Sequence, residues 1–168
     1  MDLDIRYVAG LFDGEGWITI CKQKLGERGY GHYSPHHVRY QLVAGVGMTH
    51  RPIIERLHAQ FGGGLFINRS AQKKMPKSRP GYMWKVSSGP AADFLALLVQ
   101  HLLVKKDEAE LAIKFQAHIR AHTHDFRYRP EMRDQLYAER ETFRNQLLAF
   151  KKRTFESPID DDPELMVA

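Results

Sequence analysis

The spacing of apolar residues changes along the chain, and each change marks an element. In residues 4–13, DIRYVAGLFD, Ile5, Val8 and Phe12 recur at helical spacing, and Gly14 and Gly16 then permit a sharp turn. Residues 17–24, WITICKQK, alternate and predict a strand. A loop rich in glycine and aromatics follows. Residues 37–46 predict a second strand, with Val38, Tyr40, Leu42, Ala44 and Val46 on one face and Arg39, Gln41, Val43 and Gly45 on the other. A helix is expected from near Thr49 to about Phe61, with Pro52 in its first turn and Ile53, Ile54 and Leu57 as its inner stripe. Gly62-Gly63-Gly64 stops it. Strands at 65–70 and 81–88 flank a basic loop, AQKKMPKSRP. Helices are expected at 90–103, with Phe94, Leu97 and Leu98 inside, at 106–122 and at 130–151.

This order repeats a strand–strand–helix theme. It predicts an α+β fold, a four-stranded antiparallel sheet with helices on one face and further helices at the C-terminus. The other face of the sheet stays open. With 168 residues, 43% of them hydrophobic, the chain suits one domain over 1–153, and the acidic tail 154–168 is expected to be disordered.

Composition narrows the function. The net charge is +5, and it is uneven: between Glu15 and Pro90 there are twelve lysines and arginines against three acids, Glu15, Glu27 and Glu55. Because these bases fall in strands and loops, the basic middle points to nucleic acid rather than to an ordinarily solvated surface. No run approaches the roughly 18 apolar residues of a membrane span, and MDLDIRYVAG lacks the positive start of a signal peptide. The single cysteine, Cys21, excludes an intrachain disulfide and a cysteine zinc site, and reads as a small packing residue. A soluble intracellular protein is expected, in cytoplasm, nucleoid or an organelle. His118 and His122 have a zinc-compatible spacing, but no carboxylate or cysteine set surrounds them in the sequence, and they read as a solvated helix face.

The segment Tyr7 to Gly16, YVAGLFDGEG, carries two physical oddities. Asp13 and Glu15 stand at the C-terminal end of a helix, where the dipole disfavours negative charge; a bound cation or hydrogen bonds to neighbouring backbone would hold an acid there. Ala9 and Gly10 are small where larger side chains would bury more area, and small residues let a second helix approach closely.

This segment, VAGLFDGEG, resembles the signature of the LAGLIDADG homing endonucleases. The helix–triple-glycine–strand step at Phe61–Leu65 and the segment LLVKKDEAELA resemble that family too, so the likeness covers about residues 4–122. It implies the αββαββα fold with a saddle-shaped sheet. It implies a metal-dependent, site-specific double-strand cut in a long, pseudo-palindromic duplex. The metal site implied is Glu15 with Gly14, taking Mg²⁺ or Mn²⁺, and Asp13 is implied as a structural acid. Lys105, with Lys106 as a rival, is implied to stabilise phosphate charge. The family's polar residue at the end of the second strand has no amide counterpart in Gly47-Met48-Thr49-His50-Arg51, which leaves Thr49, His50 or Arg51 to position water. One motif copy implies a homodimer, with Ala9, Gly10, Asp13 and Gly14 at the two-fold axis.

Contacts to double-stranded DNA are expected from Thr19, Gln23, Arg39, Gln41, Arg51, Arg69 and Lys85. Arg28, Tyr30, His32, Lys73, Lys74, Lys77 and Arg79 are expected to grip phosphates from loops, with Arg127, Arg129, Lys151, Lys152 and Arg153 as later candidates. A strand of about eight residues matches roughly eight base pairs per subunit. Two rival readings share the fold: an intron maturase that binds RNA, and a DNA-binding regulator without nuclease activity.

Overall fold

The computed structural model describes residues 2–24, 38–69 and 77–156, with the backbone alone at Lys24, Phe126, Tyr128 and 153–156. Helix α1 (Ile5–Glu15) starts where the Asp4 carboxylate accepts the Arg6 N–H at 2.7 Å. It leads directly into β1 (Gly16–Lys24). Then come β2 (Val38–Met48), α2 (Arg51–Phe61), β3 (Gly64–Asn68), β4 (Gly81–Ser87) and α3 (Gly89–Leu98). After one 3₁₀ turn follow α4 (Lys106–Ala121), α5 (Thr123–Tyr128) and α6 (Arg133–Glu156).

The four strands are antiparallel in the order β1-β2-β4-β3. The alternation expected of β2 is what forms: Tyr40, Leu42, Ala44 and Val46 are buried under the helices, and Arg39 is exposed on the opposite face. Ile18, Ile20, Trp84 and Val86 join that inner face. Trp84 is fully buried and anchors an aromatic cluster, its ring 4.8 Å from Phe94 and 6.1 Å from Phe61, while Phe12 lies 5.4 Å from Phe94. Its indole N–H donates to the Gly62 carbonyl at 2.6 Å. Gly62 and Gly63 have φ of 68° and 85°, a region glycine enters without strain, and a Cβ at Gly63 would lie 2.5 Å from the Lys85 carbonyl oxygen. The triple glycine thus stops α2 and brings the turn against β4.

The long helix α6 covers the β1 side of the sheet. Lys22 pairs with Glu141 at 2.7 Å, and the Tyr40 hydroxyl donates to the same carboxylate. Lys151 donates to the Ile18 carbonyl of this edge strand at 2.6 Å. The Lys22 ammonium and then the Tyr40 hydroxyl hold the Glu141 carboxyl below the usual carboxylate range. A depressed carboxylate contributes stability above its unfolded value, and that contribution is lost as pH falls through its folded value. Lys22 is held above the usual lysine value, first by Glu141, so its share is full below that value and disappears at strongly alkaline pH. Urea unfolding of Glu141→Gln beside the wild type is expected to show a stability gap at neutral pH that closes as pH drops below the ordinary glutamate range. A gap unchanged down to acid pH would contradict the assignment.

Five expectations change. Helix α1 runs through Glu15 rather than Asp13, because the Gly16 N–H still donates to the Phe12 carbonyl and closes its last turn. Helix α3 ends at Leu98, and Leu97, expected inside, is 53% exposed. Helix α5 forms where no element was expected. His118 does not lie on a solvated face: it packs against α6, with the Phe143 ring at 5.5 Å and Glu139 at 3.5 Å, and burial pushes its imidazole down. Helix α6 extends to Glu156, into the start of the expected tail, and the rest of that tail lies outside the described residues. Among the described residues no helix is long and apolar enough to cross a membrane.

Candidate functional site

Two parts of the fold carry the candidate chemistry, the C-terminal end of α1 and the open face of the sheet. Gly16 makes the helix-to-strand step possible: a Cβ there would lie 2.4 Å from the Phe12 ring. This step leaves Glu15 exposed at the point where α1 becomes β1. Asp13 is held differently. Its carboxylate accepts the Leu103 N–H at 2.8 Å and the Lys105 N–H at 2.9 Å. The Lys105 ammonium donates to the Asp13 main-chain carbonyl. An acid placed against the dipole is therefore paired with backbone donors, and a cation sits on the helix's negative end. Asp13 thus fixes Lys105 at the end of α1 within one protomer.

Next to this anchor, burial pushes the Glu108 carboxyl up, opposed by the charges of Lys151 and Lys105, and one of its oxygens has no hydrogen-bond partner. Thr49 is exposed just past β2. Since Gly16 pairs with Val46, the end of β2 overshoots β1 toward Glu15, and Thr49 lies at that end of the sheet. Arg51 is also at that end, but it pairs with Glu55 at 2.7 Å and lies 5.8 Å from the Tyr82 ring. Its charge is thus engaged within its own helix. His50 precedes α2 without capping it through its side chain.

Among the described residues no group of three or more His, Cys, Asp and Glu side chains could hold a metal ion. Glu15, with the end-of-helix carbonyls near it, offers hard oxygen donors on the negative pole of α1, and Asp13 is already committed to N–H groups. That donor set fits a hard divalent cation whose remaining positions are filled by water and phosphate oxygens, which is how Mg²⁺ is usually held.

The open face lines a groove of about 530 Å³ that includes Trp17, Thr19, Cys21, Gln23, Gln41, Val43, Met83 and Lys85. The register brings Gln23 opposite Arg39 and Cys21 opposite Gln41. Gln41 donates to the Ser88 hydroxyl at 3.3 Å, and the Lys85 ammonium lies 4.1 Å from the Phe66 ring centroid. Thr19, Gln23, Arg39, Gln41 and Lys85 therefore share one face. Arg69, Lys77 and Arg79 are exposed at the β3 and β4 ends, whereas Arg28, Tyr30, His32, Lys73 and Lys74 lie outside the described residues.

Several assignments move. Cys21 is a groove residue, not a core one. Lys151 holds the Ile18 carbonyl, and Arg129 pairs with Asp125 at 3.5 Å. Lys152 and Arg127 are exposed, and the Arg153 side chain lies outside the described residues. Ala9 is fully buried in its own protomer and so cannot belong to an interface. Gly10 and Gly14 are exposed on the outer side of α1, with open space where a Cβ would be. Tyr7, Leu103 and Val104 are exposed to 52%, 89% and 64%. Sequence reasoning missed Trp17, whose partner in the register is Gly45.

Compared by sequence, no family model and no curated protein matches the chain. Compared by structure, it is similar to the homing endonuclease I-CvuI in complex with its target in the presence of calcium, with a TM-score of 0.65 and 13% identity over 87% of this chain and 80% of that one. It is similar to an archaeal intron-encoded homing endonuclease complexed with DNA, with a TM-score of 0.63 and 14% identity over 87% and 82%. It also resembles the LAGLIDADG homing endonuclease I-GzeII in complex with its DNA target, with a TM-score of 0.59 and 18% identity over 85% of this chain and 44% of that chain.

Proposed function

We infer that this chain, which has the fold of the LAGLIDADG homing endonucleases, is a site-specific DNA endonuclease that acts as a homodimer and cuts both strands of a long, pseudo-palindromic duplex. The observation that carries this reading is the pairing at the end of α1: Asp13 anchors the Leu103 and Lys105 backbone, while Glu15 stays exposed where α1 meets the open strand face. The strand face would lie in the major groove, with Gln23, Arg39 and Gln41 on base edges and Lys77 and Arg79 on phosphates. Glu15, with the Gly14 carbonyl, would hold a divalent cation, Mg²⁺ or Mn²⁺. That ion, when bound, supplies Lewis-acid charge for the scissile phosphate and acidity for a water nucleophile.

Lys105 would place its ammonium beside the phosphate, oriented by the Asp13 carbonyl. We expect Lys105→Met to slow cutting by roughly 10²-fold while leaving duplex affinity within a few-fold, since electrostatic groups aimed at the transition state carry effects of that order. Single-turnover cleavage and anisotropy titration check it; an unchanged cleavage rate would assign the role elsewhere, first to Lys106. Thr49 is the residue best placed to orient water, because Arg51 is held by Glu55.

The outer side of α1, with Gly10, Gly14 and Tyr7, together with Leu103 and Val104, is the face proposed for the two-fold contact. It would bring two Glu15 side chains together at the dimer centre, one for each strand of the duplex. Sedimentation equilibrium is expected to give twice the 19.4 kDa chain mass, and a monomer that cuts at full rate would refute the two-fold model. The lack of an amide at Gly47-Met48-Thr49 favours a DNA-binding regulator as the second reading. Duplex binding without cutting would support it, and tight binding to structured RNA would support a maturase.

A further inference from the structure

A glycine on the open face of β2, Gly45, makes room for one large ring, which reaches as far as Gly47. A Cβ built at Gly45 would lie 2.5 Å from the Trp17 indole, and one at Gly47 would lie 3.7 Å from it. The indole therefore lies over β2, in the space that a side chain at 45 would otherwise fill. It is partly exposed and lines the groove, in contrast to the second tryptophan, Trp84, which is fully buried on the other face. The ring covers Gly45, which is buried beneath it, and presents its remaining apolar edge to the groove.

Its position along the strand is informative. Trp17 is two residues from Glu15, a reach of at most about 7 Å along the chain, or about two base steps of duplex. Val43 and Met83 line the same part of the groove. Lys85 shares the row, with its ammonium over the Phe66 ring. The hydrogen-bonding residues Gln23, Arg39 and Gln41 lie farther along, beyond Thr19. The open face thus has an inner part next to Glu15, where Trp17, Val43 and Met83 are apolar and Lys85 carries the charge, and an outer part with Gln23, Arg39 and Gln41.

We propose that Trp17 is a specificity-determining residue, whose indole takes the base pairs within about two steps of the cut by apolar contact and shape, thymine methyl groups above all, while the outer positions are read by hydrogen bonds. The proposal rests on the endonuclease reading given above. It assigns the inner target positions a preference for thymine and for local duplex shape.

The test uses the two tryptophans as reporters. A labelled random-sequence duplex is titrated into the wild type and into Trp17→Phe, with anisotropy and tryptophan emission followed together. Both proteins are expected to bind, and emission is expected to fall on binding in the wild type alone. In parallel, sites are recovered by binding from a randomised duplex library. Trp17→Ala is expected to bind the wild-type site about tenfold more weakly, the usual scale for one lost base-reading contact, and to lose preference at the inner positions while keeping it at the outer ones. Trp17→Tyr should retain part of the inner preference, which separates loss of the ring from general disturbance. Duplex binding with unmoved emission, or an unchanged inner preference in Trp17→Ala, would overturn the role of Trp17. Failure of the wild type to bind duplex at all would overturn the endonuclease reading as well, and the anisotropy signal distinguishes the two.

Discussion

Replacing Glu15 by glutamine is expected to remove cutting by about a thousandfold or more while leaving duplex binding intact, because it would delete the charge proposed to hold the metal and little else. The substitution conserves shape. Glu15 is exposed at the end of α1, so its loss should change folding stability by no more than about 0.5 kcal/mol. Asp13, which anchors Leu103 and Lys105, is untouched. Removing a negative charge near DNA phosphates would tighten binding if it acts at all. The distinctive outcome is therefore a split: cleavage lost, affinity kept. Loss of both would mean that Glu15 supports the fold, and retained cleavage would remove it from the metal site.

Trp84→Ala is expected to be the most damaging single change to the fold, costing about 3–5 kcal/mol. Trp84 is fully buried, packs edge-on against Phe94 at 4.8 Å, and neighbours Phe61. Alanine would leave a void in the layer between sheet and helices. It would also leave the Gly62 carbonyl without its indole donor, at the turn that ends α2. For a chain of this size a loss of that order lowers the melting temperature by roughly 10 °C. Trp84→Phe keeps most of the ring but not the donor and should cost less, about 1–3 kcal/mol. Urea and thermal unfolding of the pair measure both terms. A Trp84→Ala protein as stable as the wild type would mean that the aromatic cluster does not organise the core.

The sequence made some of this legible and not the rest, for physical reasons. β2 was readable because Tyr40, Leu42, Ala44 and Val46 recur at every second position and are buried, with Val43 the apolar exception on the open face. Helix α3 was not: in AADFLALL nearly every residue is apolar, leaving no stripe to distinguish exposed Leu97 from buried Leu95 and Leu98. Ala9 and Gly10 looked alike as small residues, but helical phase separates them. Ala9 shares a face with Phe12 and is buried, whereas Gly10 shares one with Gly14 and is exposed. Lys22 counted toward a basic surface, yet it lies on the helix side and pairs with Glu141, a partner so distant in sequence that no local pattern could reveal it. Lys151 escaped for the same reason. At the end of α1 the oddity was readable and its resolution partly so. An acid against the dipole needs a counterpart, and for Asp13 that counterpart is the backbone of Leu103 and Lys105.

The most direct test of the account is incubation of the purified protein with a large randomised library of DNA duplexes and Mg²⁺, followed by sequencing of the cut ends. The account predicts recovery of one long, near-palindromic site cut on both strands, with the cuts placed symmetrically about its centre. A protein that binds the library but leaves every duplex whole would contradict it.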